Sequence, residues 1–211
     1  MSYETEEQQV EALKQWWDEN GKAVILGVGL GVLIIAGYNY WQHRKATAAV
    51  EASDMYSESI EALRTGDTDN AQKIATELSD EHGGALYAVY ARMGAARAAI
   101  EGGDVAAAAD HLKWAVNNSD LPEVKTIAQI RLARVQAELG DVDAALKTLP
   151  GSPNEAFLGL VEETRGDLHV IAGDNAAART AYQAAIDAGG VADLNALEIK
   201  LNDLSESSNA S

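Results

Sequence analysis

The sequence predicts an all-α protein in which a single N-terminal transmembrane helix is followed by a helical-repeat domain. Three features predict it. An unbroken apolar run stands near the N-terminus, a Gly-Asp pair recurs four times in register, and the alanine-rich remainder has only three prolines and few β-branched runs.

The chain opens on an amphipathic arm, residues 1–22. Thr5-Glu6-Glu7-Gln8 reads as a capping box with acids in the first turn, where the helix dipole favours negative charge. Val10, Leu13, Trp16 and Trp17 then recur at helical spacing on one face. Asn20-Gly21 is expected to end this helix before the span begins. Two uses suit such an arm: lying against lipid headgroups, or docking a cytosolic partner.

Ala23 to Tyr38 is apolar throughout, and with Asn39, Tyr40 and Trp41 the span 23–41 covers 19 residues. That is roughly 28 Å of helix, against a hydrocarbon core of about 30 Å. No charged side chain lies between Lys22 and His43. Trp16, Trp17 and Lys22 flank one end; Tyr38, Tyr40, Trp41, Arg44 and Lys45 flank the other, as the interfacial belt of a spanning helix requires. A cleaved signal peptide would start basic and carry a shorter apolar stretch, whereas this start holds Glu4, Glu6 and Glu7. The span is therefore expected to stay as an anchor in the bilayer. Flanking Lys/Arg are tied, Lys14 and Lys22 against Arg44 and Lys45, so charge alone leaves the orientation open. Ala23, Gly27 and Gly31 stand four apart on one face, the spacing that lets helices approach closely in lipid. Ordinary tolerance of glycine in a membrane helix explains them equally well.

Of 33 Asp/Glu and 16 Lys/Arg, six and four precede Ala46, which leaves 27 against 12 and a formal charge of −15 on the remainder. Such a charge repels nucleic acid and anionic lipid and keeps the domain soluble. Cysteine is absent, so neither a disulfide framework nor thiol chemistry is available.

Gly66-Asp67, Gly103-Asp104, Gly140-Asp141 and Gly173-Asp174 are separated by 37, 37 and 33 residues. Each glycine is followed five residues later by an alanine: Ala71, Ala108, Ala145 and Ala178. Glycine supplies a left-handed cap that ends one helix, and aspartate caps the next. Seven before each glycine stand Ser59, Ala96, Ala133 and Gly166; nine after stand Ala75, Leu112, Leu149 and Tyr182; twelve after stand Leu78, Ala115, Ser152 and Ala185. Small residues on both helices of each hairpin suit close antiparallel packing. The period is near that of tetratricopeptide arrays, about 34 residues. The array is diverged: Arg92 and Glu162 stand where an aromatic is usual, and Pro150-Gly151-Ser152-Pro153 cuts the third copy short. The tetratricopeptide-like domain is assigned to 48–204. A closing helix from Val191 to Leu204, with Leu194, Leu197, Leu201 and Leu204 on one face, is expected to cap its open end, docking onto a partner being the alternative. A polar tail, 205–211, is expected to be disordered.

Chemistry is not expected. His43, His82, His111 and His169 share no ligand-like spacing, Gly27, Gly29 and Gly31 lie inside the span rather than in a phosphate loop, and no nucleophile–base motif occurs. No catalytic residue, metal or cofactor is therefore assigned, and the protein is not expected to be an enzyme.

Val10 to Lys14, Glu19 to Ala23 running into the glycine-rich span, Tyr40-Trp41, Ile130 to Gln136 (IRLARVQ), Asp143 to Leu149 (DAALKTL) and Arg165-Gly166 resemble the ancillary SecYEG translocon subunit family of proteobacteria. The resemblance implies a single-pass protein of the cell inner membrane, with its N-terminus cytoplasmic and its repeat domain periplasmic. It implies association with the SecYEG translocon and with a membrane-anchored periplasmic chaperone of the prolyl-isomerase type (PpiD). The implied role is chaperone-like: helping to pass newly translocated polypeptides to periplasmic chaperones. An alternative attached to the family is a tethered regulatory adaptor that sequesters a cytosolic stress-response regulator through residues 1–22.

In tetratricopeptide arrays, ligands lie along the concave face formed by the first helix of each repeat. Counting back from each Gly-Asp, that face is expected to hold Tyr56, Ile60, Tyr90, Met93, Arg97, Ile127, Ile130, Arg134 and Leu160. Packing between neighbouring helices is the competing use of the same residues.

Overall fold

A computed structural model describes residues 3–151, 153–191 and 193–209. Among them there are nine helices and no strand: α1 (Tyr3–Thr65), α2 (Thr68–Glu81), α3 (Leu86–Glu101), α4 (Val105–Asn118), α5 (Pro122–Glu138), α6 (Val142–Thr148), α7 (Glu155–Ile171), α8 (Asn175–Ala188) and α9 (Leu194–Asn209). The chain divides into two units, with the boundary between Val50 and Glu51.

The first unit is the greater part of α1. Its apolar stretch is bare: Ile25, Leu26, Val28, Leu30, Val32, Leu33, Ile34 and Ile35 are 60–73% exposed. A core helix of a soluble protein would bury these side chains, so by length, composition and exposure α1 is a candidate to cross a membrane. At its far end Lys45 Nζ lies 4.1 Å from the Trp41 ring centroid, and Gln42 donates to Tyr38 Oη at 2.8 Å. These aromatic and cationic side chains form the amphipathic collar expected at a membrane surface.

The break expected at Asn20-Gly21 is absent, because α1 runs through it. Glycine inside a helix costs only about 1 kcal/mol relative to alanine, too little to stop a helix with strong formers on both sides. Asn20 turns its amide back to donate to the Trp16 carbonyl at 3.0 Å. A Cβ on Gly21 would stand 3.1 Å from the Trp17 indole, so this glycine makes room for a ring rather than ending a helix. Val10, Leu13, Trp16 and Trp17 are 50–66% exposed. The side chains of the expected capping residues Thr5, Glu6 and Glu7 lie outside the described residues.

In the second unit the four Gly-Asp corners share one geometry. Gly66, Gly103, Gly140 and Gly173 have φ of 76°, 83°, 87° and 77°, the left-handed region where a Cβ is penalised. Each following aspartate N–H bonds to the carbonyl five residues back (Ala62, Ala99, Gln136, His169), which closes a Schellman motif. The aspartate side chains then accept from the N–H groups of Asn70, Ala107, Ala144 and Ala177 and cap α2, α4, α6 and α8. Ala71, Ala108, Ala145 and Ala178 are fully buried, and Ser59, Ala96, Ala133 and Gly166 are buried opposite them. Ser152 lies outside the described residues.

Each hairpin packs on the next in chain order around Leu78, Leu112 and Leu168, all but inaccessible to solvent. The prolines shorten the third repeat: α6 has seven residues where α2, α4 and α8 have 14. Its end is tied to α5 instead. Gln129 donates to the Thr148 carbonyl at 3.1 Å, and Thr148 Oγ1 donates to Gln136 Oε1 at 2.7 Å. The last helix starts at Leu194, not Val191, because Gly189 and Gly190 take positive φ and Asp193 caps by accepting from Ala196 N–H at 3.0 Å. Leu197 and Leu204 are buried in a cluster with Tyr182 and Ala185, whereas Leu194 is exposed. Lys200 fastens α9 to α7, donating to Asp167 at 2.8 Å and Glu163 at 3.1 Å. The stretch expected to be a disordered tail is helical as far as Asn209, and 210–211 lie outside the described residues.

Candidate functional site: a groove on the first helices

Helices α3, α5 and α7, with the C-terminal turns of α1, are the first helices of the hairpins. At one end Tyr56 of α1 meets Tyr87 and Tyr90 of α3, with ring centroids 5.4 and 6.3 Å apart. Tyr87 and Tyr90 keep 39% and 37% of their surface exposed, so the cluster forms an aromatic ledge rather than a core.

Further along, α3 and α5 enclose a cavity of about 410 Å³. Met93 and Leu112 form its buried floor, Ile100 a wall, and Arg97, Arg131 and Arg134 its polar lining. Arg97 Nε donates to Glu101 at 2.7 Å along its own helix. Arg134 reaches across to α7 and donates to Thr164 Oγ1 at 3.1 Å.

Of the nine residues expected on the concave face, Met93, Arg97 and Arg134 share this cavity, Tyr56 and Tyr90 share the ledge, and Ile60 on α1 is exposed. Ile130 is a correction. It is buried with Ala133, Val161 and Leu168, because α5 packs against α6 and α7 as well as α4, and that side of the helix serves the core. Ile127 and Leu160 are half-buried packing residues. Tyr87 and Arg131 went unanticipated, and a signal for each exists in the sequence. Tyr87 stands three residues before Tyr90 and Arg131 three before Arg134, one helical turn along the same face.

A second polar cluster joins α2, α3 and α4. Arg92, at the position usually aromatic, donates from Nε to Ser79 Oγ at 2.8 Å and lies 2.9 Å from His111 Nδ1 through Nη1. Its guanidinium carbon is 5.3 Å from the Trp114 ring centroid, so the missing aromatic surface is supplied by the neighbouring helix. Arginine can only donate, so His111 accepts at Nδ1 and its proton sits on Nε2. Burial, then the Arg92 charge, hold His111 below the ordinary histidine range, against the opposing pull of Asp110 and Asp104. A folded-state value below the unfolded one means that the unfolded chain binds more protons, so stability falls as pH drops through about 6.5 and below. The melting temperature is expected to fall more between about pH 7.5 and pH 5.5 in the parent than in His111→Gln. Equal slopes would remove His111 as the source of acid sensitivity. No cluster of three or more metal-ligating side chains occurs among the described residues.

On α1, a Cβ added at Gly27 or Gly31 would meet nothing within 4 Å, so the face they share with Ala23 is uncovered among the described residues.

Comparison with known proteins agrees with this architecture. The family described as a tetratricopeptide repeat-like domain matches residues 14–206. The ancillary SecYEG translocon subunit of Escherichia coli is 33% identical over 207 residues, 96% of this chain and 98% of the relative. That of Haemophilus influenzae is 33% identical over 199 residues, 94% and 97% of the two chains. The Aggregatibacter actinomycetemcomitans protein of the same name is 29% identical over a stretch of the same length. Matched nearly end to end with these relatives, and itself matched over residues 14–206 by the tetratricopeptide repeat-like family, the chain belongs to the ancillary SecYEG translocon subunit family.

Proposed function

We propose that this protein is a membrane-anchored adaptor that works beside the SecYEG translocon and helps pass newly translocated polypeptides to periplasmic chaperones through protein–protein contacts. The observation that carries the reading is the occurrence in one chain of a bare apolar helix and of an open, apolar and guanidinium-lined groove between α3 and α5, with an aromatic ledge on α1 and α3. The anchor sits in the inner membrane, with the arm of residues 1–22 in the cytoplasm and the array in the periplasm. The relatives' name supports the translocon as partner. A prolyl-isomerase-type chaperone (PpiD) is the second partner, and the uncovered face of Ala23, Gly27 and Gly31 is the surface proposed to pack against a partner's membrane helix. A groove lined by apolar surface and guanidiniums suits unfolded segments, which share apolar area and backbone carbonyls whatever their sequence.

The test is Arg97→Glu combined with Arg134→Glu in the full-length protein. Helix content is expected to hold, because among the described residues Arg97 pairs within its own helix and Arg134 bonds one hydroxyl. Crosslinking to translocating chains or to the chaperone should fall roughly tenfold, the loss of one or two charge-assisted hydrogen bonds. A variant that folds and crosslinks normally removes the groove as the binding surface. One that unfolds makes the arginines structural.

A further inference from the structure

We propose that the α3/α5 groove reads carboxylates, taking an extended polypeptide segment in which one Asp or Glu stands between apolar residues. This rests on the groove being a polypeptide-binding surface and specifies which segments it selects.

The charge distribution is the first ground. Residues 46–211 hold 27 acidic and 12 basic side chains, yet three of those twelve line a single cavity of about 410 Å³. Glu101 and Glu138 stand at the same cavity, so its lining carries one net positive charge inside a domain of −15. An acidic segment repelled by the rest of the surface meets the opposite sign here.

The state of each guanidinium is the second ground. Thr164 is fully buried; its hydroxyl donates to the Leu160 carbonyl at 2.9 Å and accepts from Arg134, so α7 fixes how Arg134 points. Arg97 is held by Glu101. Arg131 makes no hydrogen bond or ion pair among the described residues. A guanidinium has five N–H donors and no acceptor, so Arg131 and Arg134 retain most of theirs for a ligand. The group that fits a guanidinium fork with two parallel bonds is a carboxylate, and such bonds are about twice as strong as those to a neutral carbonyl.

Dimensions and floor supply the apolar neighbours. The lining runs from Met93 to Glu101 on α3 and from Arg131 to Glu138 on α5, about 11 Å of helix at roughly 1.5 Å per residue. That length holds about three extended residues at roughly 3.3 Å each. With Met93, Leu112 and Val135 beneath and Ile100 beside, the flanking positions of such a tripeptide face hydrocarbon.

Fluorescence anisotropy with the full-length protein in detergent tests the assignment at physiological ionic strength. The probes are labelled, C-terminally amidated peptides centred on Leu-Glu-Leu or Leu-Gln-Leu, so that the only difference is a side-chain carboxylate. The glutamate peptide is expected to bind roughly tenfold tighter or more. Arg131→Gln should erase that preference without altering the melting curve, since Arg131 has no hydrogen bond or ion pair to lose among the described residues. Equal affinities for the two peptides, or a preference that survives in Arg131→Gln, overturn the carboxylate assignment and leave the groove as a polypeptide site. Failure of both peptides to bind overturns the groove reading along with it.

Discussion

Gly159→Ala is expected to destabilise the repeat domain by about 3 kcal/mol, lowering its melting temperature by roughly 6–12 °C. Alanine normally stabilises a helix by about 1 kcal/mol relative to glycine, so the predicted sign is the reverse of helix propensity. Gly159 is buried on α7, and a Cβ there would run into the Gly189 carbonyl oxygen, with the Gly189 carbonyl carbon at 2.9 Å and the Ala185 oxygen at 3.3 Å. These are backbone atoms, which cannot swing aside as a side chain can. Gly189 is itself held, since its N–H bonds to the Ala185 and Ile186 carbonyls and its φ is 70°. Gly166, two turns on, faces the Tyr182 ring in the same way, and that ring is pinned by the hydrogen bond from Tyr182 Oη to Asp167 at 2.8 Å. Gly84→Ala, where the space is open, is the matched control and should be close to neutral. A Gly159→Ala protein that melts at or above the parent temperature would falsify the close approach of α7 to the end of α8.

The second large effect concerns the anchor. Leu30→Arg with Ile34→Arg places two charges one turn apart at the middle of the apolar stretch, where each costs about 3 kcal/mol to hold in a bilayer. Both parent side chains are more than 60% exposed and touch no core, so the array should fold unchanged. The parent protein is expected to stay in the membrane pellet after alkaline carbonate extraction, and the variant to move largely to the supernatant. Retention of the double variant in the pellet would show that something other than burial of α1 in hydrocarbon holds the protein there.

Sequence legibility varied with how local the determining physics is. The Gly-Asp corners are legible in the sequence, because a left-handed glycine and a capping aspartate act within one turn of their own positions. The short third hairpin followed equally from Pro150, which cannot continue a helix. Asn20-Gly21 misled for the opposite reason. The two residues are a stop signal only where the flanking turns are weak, and here the helix on both sides outweighs them. Within the groove, Arg97 and Arg134 were legible from their equivalent distance to the corners. Ile130 was not, since the same helix face angle can serve either a groove or a third neighbour, and only packing against α7 decides between them. The Arg92–His111–Trp114 cluster was hidden for a similar reason. Its members come from two helices, and neither residue type announces the pairing.

The corners carry a consequence for the order of folding. Every hydrogen bond that shapes them joins residues no more than five apart: the aspartate N–H to the carbonyl five back, and the aspartate carboxylate to the N–H three ahead. Closing so short a loop carries little entropic cost, and helix hairpins rich in such short-range contacts form quickly. Each turn is therefore set by residues already adjacent in the chain, without waiting for any later repeat. An array built this way can assemble progressively from its N-terminal hairpin as the polypeptide becomes available end first, each finished hairpin serving as the template on which the next one docks.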